Sequence, residues 1–295
     1  SIPSQTPGKK RSRKAGLPPG SLVHIGEQKI EATGISAVNY DEQRVEERIL
    51  KDAEECLAYK DRSGVTWINI DGLHEPDVLE RIGKVFDLHP LMLEDIANTE
   101  QRPKLEDYGD YLYVVIRMLY RPDDSILSEQ LSLVIGRNVL ITFQERHGTE
   151  FDPIRERLRS GKGRARRLGV DFLAYQLVDA VIDNYFIVLE RLSDEVEALE
   201  EQVITSPRSE ALHRLHRLKK DINFLRRSTW PLREVIAAMQ RGDSPLIGEA
   251  MRIYLRDIYD HVVAAADAIE AMRDLLNSML EIHMSNMNIR LNEVM

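Results

Sequence analysis

The last part of the sequence carries a helical pattern long enough to govern the shape of any fold built around it. From Pro245 to Met295 we predict one helix of about 50 residues, which would be roughly 75 Å long. A compact monomer of this chain length would be only about 50 Å across. The apolar seam of this helix keeps alternating three- and four-residue spacing, the pattern by which helices pack against partners: Leu255, Ile258, Val262, Ala265, Ile269, Met272, Leu276 and Met279. We therefore expect the helix to protrude and to assemble with partners.

A second stripe of the same helix is mostly acidic and repeats at every seventh residue: Asp260, Asp267, Asp274, Glu281, Asn288 and Met295. In a symmetric bundle this stripe would form stacked rings, whereas in an ordinary coiled coil it occupies f positions that face water. Periodicity alone leaves both interpretations open. The pattern reaches Met295 without a glycine or proline that would end the helix, so we expect the chain to lead into a membrane segment.

Charge and composition narrow the class of protein. The 295 residues carry a net charge of −9 and a single cysteine, Cys56. Binding to nucleic acid needs clustered Lys and Arg, so we predict no nucleic-acid partner and favour cations or basic surfaces as partners instead. One cysteine excludes an internal disulfide framework and a multi-cysteine zinc site. The best candidate for a membrane span, Val262–Ile269, is far too short and contains Asp267, so we expect no such span in these residues.

The order of sequence patterns predicts an α+β fold, with an N-terminal α/β domain whose mixed sheet is covered by helices, followed by three long helices. We predict a disordered basic tail over 1–20, the α/β domain over 21–168, an antiparallel helical pair over 169–243 and the stalk helix over 244–295. Strands are predicted at Leu22–Ile25, Ile30–Val38, Val65–Ile70, Tyr111–Tyr120, Leu127–Ile135 and Val139–Phe143. The helices of this domain are predicted at Glu42–Tyr59, Pro76–Phe86 and Pro90–Asn98. Pro231 falls inside the second long helix, where it could kink or end it.

Few motifs in the sequence could carry out catalysis or bind a metal ion. The sequence contains no glycine-rich phosphate loop, no Gly-x-Ser-x-Gly and no His-Glu-x-x-His, so we predict that the protein is not an enzyme. Asp179 and Asp183 are four residues apart, and Asp257 and Asp260 are three apart, so each pair shares a helical face. Mg²⁺ keeps several waters and takes one or two carboxylates, which fits such sparse pairs. On spacing alone, solvated surface carboxylates or ion pairs are the simpler explanation.

A set of short motifs, taken in chain order, resembles the CorA family of magnesium and cobalt transporters. The motifs are Trp67-Ile68-Asn69, His89-Pro90-Leu91, Leu93-Glu94-Asp95-Ile96, Gln101-Arg102-Pro103-Lys104, Leu177-Val178-Asp179-Ala180, Trp230-Pro231-Leu232-Arg233, Asp257-Ile258-Tyr259-Asp260-His261 and Asn292-Glu293-Val294-Met295. Their order from about Val65 to the end is more specific than any one motif.

The resemblance implies that the chain is the cytosolic part of a homopentameric divalent-cation channel in the cell membrane. It implies that Mg²⁺ is both the transported and the regulatory ion, with Co²⁺ as a second ion. It implies that Asp95 and Asp257 bind regulatory Mg²⁺ between neighbouring subunits, and that Glu94 and Asp179 form an accessory site. It also implies that Asn292 and Met295 line the cytosolic mouth of the pore and that Glu281 belongs to an acidic ring. Asp267, Asp274 and Asn288 join this stalk ring by the seven-residue count alone.

Two other functions stay open on the sequence. A zinc or cobalt transporter of the same superfamily would keep the architecture and change the ion. A scaffold that merely oligomerises through the stalk helix would explain the heptads but not the ordered motifs.

Overall fold

A single mixed β-sheet forms the centre of the N-terminal part. The computed structural model describes residues 18–161, 163–205 and 209–294, and gives only the backbone at 204–205, 209, 286 and 288–294. The strands in this part are β1 (Gly34–Tyr40), β2 (Val45–Leu50), β3 (Val65–Asp71), β4 (Lys104–Asp107), β5 (Leu112–Tyr120), β6 (Leu127–Ile135) and β7 (Val139–Gln144). They pair in the order β2-β1-β3-β7-β6-β5-β4, with β3 parallel to β7 and the other neighbours antiparallel.

Helices cover both faces of this sheet. They are α1 (Leu57–Lys60), α2 (Pro76–Phe86), α3 (Pro90–Ala97), α4 (Asp152–Ser160), α5 (Val170–Thr205), α6 (Ser209–Arg241) and α7 (Arg252–Val294). Strand residues alternate between two cores because side chains on a strand point to opposite faces in turn. Tyr113 and Val115 of β5 pack with α2 and α3, whereas Val114 and Ile116 pack with α5, α6 and α7. The predicted fold class is confirmed by this arrangement.

The three long helices of the described residues form one layer. Arg217 on α6 reaches Glu195 on α5 at 3.6 Å, and the guanidinium of Arg214 donates to the side-chain oxygen of Gln202 at 2.9 Å. Later residues of α5 thus meet earlier residues of α6, as expected for the antiparallel helical pair predicted over 169–243. Pro231 lies within α6, which continues past it without a break.

The apolar seam of α7 is used inside the chain. All eight seam residues, from Leu255 to Met279, are buried, and they belong to the core shared with α5 and α6. The prediction that this seam packs against other copies is therefore wrong for the described residues. Burial against α5 and α6 removes the apolar stripe from water without any second chain.

The start of α7 also differs from the prediction. The helix begins at Arg252 rather than Pro245 and spans 43 residues, about 65 Å. Gly248 has an extended backbone and donates its N–H to the Asp171 carboxylate at 3.0 Å, so the segment before Arg252 docks on α5 instead of extending α7.

The predicted helix over 42–59 is wrong for most of its length. Residues 45–50 form β2, the sheet's edge strand, and only the short α1 and the 3-10 turn before it are helical. Glu46, Glu47 and Arg48 gave this segment a helix-like composition, but charged residues are also what a solvent-exposed edge strand carries. The predicted strand at 22–25 is reduced to one bridge, between Ile25 and Asn98, and the sequence did not predict the short β4.

One helix of the described residues passes a test for membrane spans by length and composition. It is α5, over Val170–Val203, where no membrane span was predicted from the sequence. Most of its apolar window is buried inside the fold, as in the core helix of a soluble domain, so this test alone is weak evidence for a span.

Candidate metal centre

Two of the predicted metal ligands come together where α5 packs against α7. Asp179 on α5 is half-buried and Asp257 on α7 is exposed. Burial raises the pKa of Asp179, the negative charges of Asp183 and Asp257 raise it further, and His261 opposes the shift. These interactions place the three carboxylates and one imidazole in the same electrostatic neighbourhood. A carboxylate in such surroundings gains when a cation binds.

Aromatic side chains hold α5 and α7 in register beside these carboxylates. The rings of Tyr175 and Tyr254 lie 5.1 Å apart, centre to centre, and Phe172 contacts both. Burial, followed by the charges of Asp179 and Asp257, raises the pKa of Tyr175 to about 12. Further along, Phe186 on α5 meets the His261 ring edge to face at 6.0 Å. The carboxylates therefore project from rigid, packed elements rather than from loops.

The other two predicted ligands lie on α3. Pro90 occupies the first turn of this helix, and the His89 ring nitrogen Nδ1 accepts a hydrogen bond from the Leu91 N–H at 3.2 Å. This cap and the proline fix where the helix starts. Glu94 accepts a hydrogen bond from the Gly20 N–H at 2.7 Å, and Asp95 follows it.

Both carboxylate oxygens of Asp95 accept hydrogen bonds from the same chain. The Gln101 amide donates to Oδ1 at 2.6 Å, and the Lys104 ammonium donates to Oδ2 at 2.6 Å. The ammonium also donates to Glu106 at 2.8 Å. Burial lowers the pKa of Lys104, but its hydrogen bonds to Asp95 and Glu106 outweigh burial and the net shift is upward. Asp95 is therefore neutralised locally by a side-chain cation.

The chain does not join the two halves of the predicted centre. Met92 and Ile96 of α3 pack in the core on one face of the sheet, whereas α5 and α7 pack in the core on the other. Asp179 lies near Asp257 and Glu94 adjoins Asp95, whereas within one copy the sheet separates Asp95 from Asp257 and Glu94 from Asp179. Across the described ranges, no group of three or more Asp, Glu, His or Cys residues is arranged to hold a metal ion.

The acidic stripe of α7, where its side chains are described, points away from the core. Asp267, Asp274 and Glu281 are exposed on α7, on the side opposite the buried seam. Asp274 is paired with Arg273, at 3.1 Å. The side chains of Asn288 and Asn292, and the whole of Met295, lie outside the described residues, as do residues 1–17 of the predicted basic tail. Exposure in one copy is compatible with both an axial ring and a water-facing stripe.

Sequence reasoning missed Lys104 and Gln101 as neighbours of Asp95, and it named His261 only as part of a motif, although it had paired Asp183 with Asp179. Lys104 follows Asp95 by nine residues, across a helix end and a turn, so neither helical nor strand periodicity relates the two. His261 follows Asp257 by four residues on one helix, a spacing that places both on one face and could have found it.

Comparison with known proteins agrees with the resemblance found in the motifs. The family described as CorA-like Mg²⁺ transporter protein matches residues 62–295. The cobalt/magnesium transport protein CorA of Thermotoga maritima is 42% identical over 289 residues, covering 97% of this chain and 82% of that protein.

Solved structures share the fold at low identity. The soluble domain of CorA from Methanocaldococcus jannaschii superposes with a TM-score of 0.70 at 19% identity, covering 85% of this chain and 96% of that one. The ZntB cytoplasmic domain from Vibrio parahaemolyticus gives 0.71 at 12% identity, covering 88% of this chain and 99% of that one. The family match over most of the sequence, together with the Thermotoga identity, leads to one conclusion: the chain belongs to the CorA family of magnesium transporters.

Proposed function

We propose that this chain is the cytosolic metal-sensing and gating part of a homopentameric divalent-cation channel in the cell membrane. The observation that carries the proposal is the separation of its candidate ligands. Asp95 and Glu94 lie on α3, on one face of the sheet, and Asp179 and Asp257 lie on α5 and α7, on the other. A Mg²⁺ ion held by both sets must bridge two copies of the chain, and Mg²⁺ accepts such a site because it keeps most of its waters.

Family membership supports transport over catalysis. The Thermotoga relative is named a cobalt/magnesium transport protein, and we extend that activity to this chain, with Mg²⁺ as the main ion and Co²⁺ as a second. The ions are then cargo and regulator at once.

Closure of the channel by Mg²⁺ follows from the carboxylate charges at such an interface between copies. Two carboxylates about 4 Å apart repel by about 4 kcal/mol at an effective dielectric constant near 20, so neighbouring copies separate when the site is empty. A bound Mg²⁺ attracts both carboxylates and so turns this repulsion between copies into attraction. If it binds only the closed arrangement, a tenfold excess over its Kd stabilises that arrangement by about 1.4 kcal/mol per site, or about 7 kcal/mol over five sites. A shift of this size is enough to close a two-state assembly.

The acidic stripe on α7 extends the proposal toward the membrane. We assign Asp267, Asp274 and Glu281 to rings around the five-fold axis, because their exposure opposite the seam leaves them free to face other copies. Asn288 joins these rings by the seven-residue count, and we assign Asn292 and Met295 to the cytosolic mouth of the pore from the family resemblance alone.

The test is a thermal melt of the chain with added MgCl₂ at constant ionic strength. We expect the Tm of the unaltered chain to rise with Mg²⁺, and the rise to be lost in Asp257→Asn and in Asp95→Asn. Asp243→Asn is the matched control, because Asp243 is 87% exposed in the turn after α6. An equal rise in all four proteins would contradict the proposed site.

Gating itself needs the longer protein with its pore. Flux through it should fall as cytosolic Mg²⁺ rises, and Asp257→Asn should shift that dependence to higher Mg²⁺. Flux indifferent to cytosolic Mg²⁺ would refute the feedback.

The identity of the ion is a separate question. The likeness to the ZntB cytoplasmic domain shows a shared fold and does not choose between Mg²⁺ and Zn²⁺. Transport assays in which Mg²⁺, Co²⁺ and Zn²⁺ compete decide it. The scaffold alternative has lost its main support, because the seam it required is buried within the chain.

A further inference from the structure

Lys104 connects two carboxylates at the edge of the sheet. Its ammonium lies 2.6 Å from the Asp95 oxygen Oδ2 and 2.8 Å from Glu106 Oε1. The Lys104 and Asp95 side chains are only 25% and 26% exposed. The ammonium also lies 5.5 Å from the centre of the Tyr113 ring, and the Tyr108 hydroxyl donates to Glu106 at 3.1 Å. The cation is thus held in a partly desolvated position directly at a predicted Mg²⁺ ligand.

We propose that Lys104 is a tethered competitor of Mg²⁺, occupying the Asp95 carboxylate when the metal is absent and moving to Glu106 when the metal binds. This inference rests on the proposed function and specifies how its site is regulated.

A Mg²⁺ ion and the Lys104 ammonium cannot share Asp95 Oδ2 at low cost. Both cations would lie within a few ångströms of one oxygen, where like charges repel. Gln101, on the other oxygen, is neutral and donates one amide N–H, so it can stay. The displaced cation is therefore Lys104.

Glu106 makes the displacement reversible. It already accepts one hydrogen bond from the ammonium, so a small rotation of the lysine side chain leaves the charge paired. When Mg²⁺ leaves, the ammonium returns to Asp95 and pairs with that carboxylate within its own copy. Lys104 thus lowers the affinity for Mg²⁺ and keeps the metal-free state stable.

The test compares Lys104→Met with the unaltered chain by calorimetric titration and by thermal melts with MgCl₂. Methionine keeps an unbranched apolar stem and removes the charge. Removing a competing ion pair worth about 1 kcal/mol lowers the half-saturating Mg²⁺ concentration about fivefold. Lys104→Arg retains a cation and should keep an affinity close to that of the unaltered chain. Lys84→Met controls for net charge, because Lys84 is 72% exposed and pairs with Glu80 on α2.

The two readouts separate competition from a structural role. If Lys104 competes with Mg²⁺, Lys104→Met should lower the Tm in the absence of Mg²⁺, and saturating Mg²⁺ should restore most of that loss. A structural role predicts equal losses in both conditions and an unchanged affinity.

The outcomes also separate this inference from the proposed function. If the unaltered chain binds Mg²⁺ and Lys104→Met binds it with the same affinity, Lys104 is no competitor and the proposed function survives. If the unaltered chain binds no Mg²⁺, the proposed function fails, and this inference falls with it.

Discussion

Replacing Asp221 by asparagine should stabilise the protein at neutral pH. Asp221 lies on α6, is 1% exposed, and neither of its carboxylate oxygens has a hydrogen-bond partner among the described residues. Arg121, Arg217 and Lys220 lie near enough to attract it, and Glu195 repels it. Burial nevertheless dominates and raises the pKa of Asp221 from 3.8 to about 6.

The direction of the effect follows from which state binds the proton more tightly. A raised pKa means that the folded state holds the proton more tightly than the unfolded state, so ionising Asp221 lowers the free energy of unfolding. This loss begins as pH rises through about 4 and is complete above about 6. Raising the pKa from 3.8 to about 6 corresponds to about 3 kcal/mol of unfolding free energy, of which about 1.4 kcal/mol is lost between pH 5 and pH 7.5.

Urea unfolding of Asp221→Asn and of the unaltered chain from pH 5 to pH 7.5 measures this directly. Asparagine cannot ionise, so the variant should gain up to about 3 kcal/mol at pH 7.5, and its advantage should shrink by about 1.4 kcal/mol at pH 5. Asp124→Asn is the control, because Asp124 lines the same cleft as Asp221 but is 80% exposed. A variant less stable than the unaltered chain at pH 7.5, or a difference independent of pH, would refute the reasoning.

Three further outcomes follow from the packing, the buried charges and the family. Ile258→Ala in the fully buried seam of α7 should lower the free energy of unfolding by about 2–5 kcal/mol in urea, whereas Ala264→Ser on the exposed face should change it little. Arg146→Met removes the guanidinium that lies 2.9 Å from the Glu129 carboxylate, which is 1% exposed, and should lower the free energy of unfolding by about 3 kcal/mol. Adding Glu129→Gln should regain most of this loss; if it does not, the broken ion pair is not its cause. In competition transport assays with the longer protein, Mg²⁺ and Co²⁺ should each reduce uptake of the other, and a preference for Zn²⁺ over both would overturn the assigned cargo.

Some of this molecule could be predicted because its sequence signals are local. The apolar runs of β5 to β7 are buried on both faces and read as strands, and the three-four spacing of the long helices was equally clear. β2 was missed because an edge strand tolerates the charged residues that also favour a helix. The partner of the α7 seam was misjudged because spacing identifies an apolar seam without saying what covers it.

The candidate metal centre shows the same limit. The family resemblance named Asp95, Asp257, Glu94 and Asp179, but the chain alone could not say that two lie on each side of the sheet. The salt bridge from Lys104 to Asp95 depends on the turn between α3 and β4, which no periodicity encodes. Asp221 could have been found, because it lies three residues after Leu218 and four before Leu225, within a buried stripe.

The measurement that tests the central claim most directly is an anomalous-scattering map at the cobalt edge, from crystals of the assembled protein grown with CoCl₂. The account predicts a peak between copies, with Asp257 of one copy and Asp95 of its neighbour both within reach of the ion or its waters. Assembled copies with no peak there, or a cobalt ion held entirely within one copy, would contradict it.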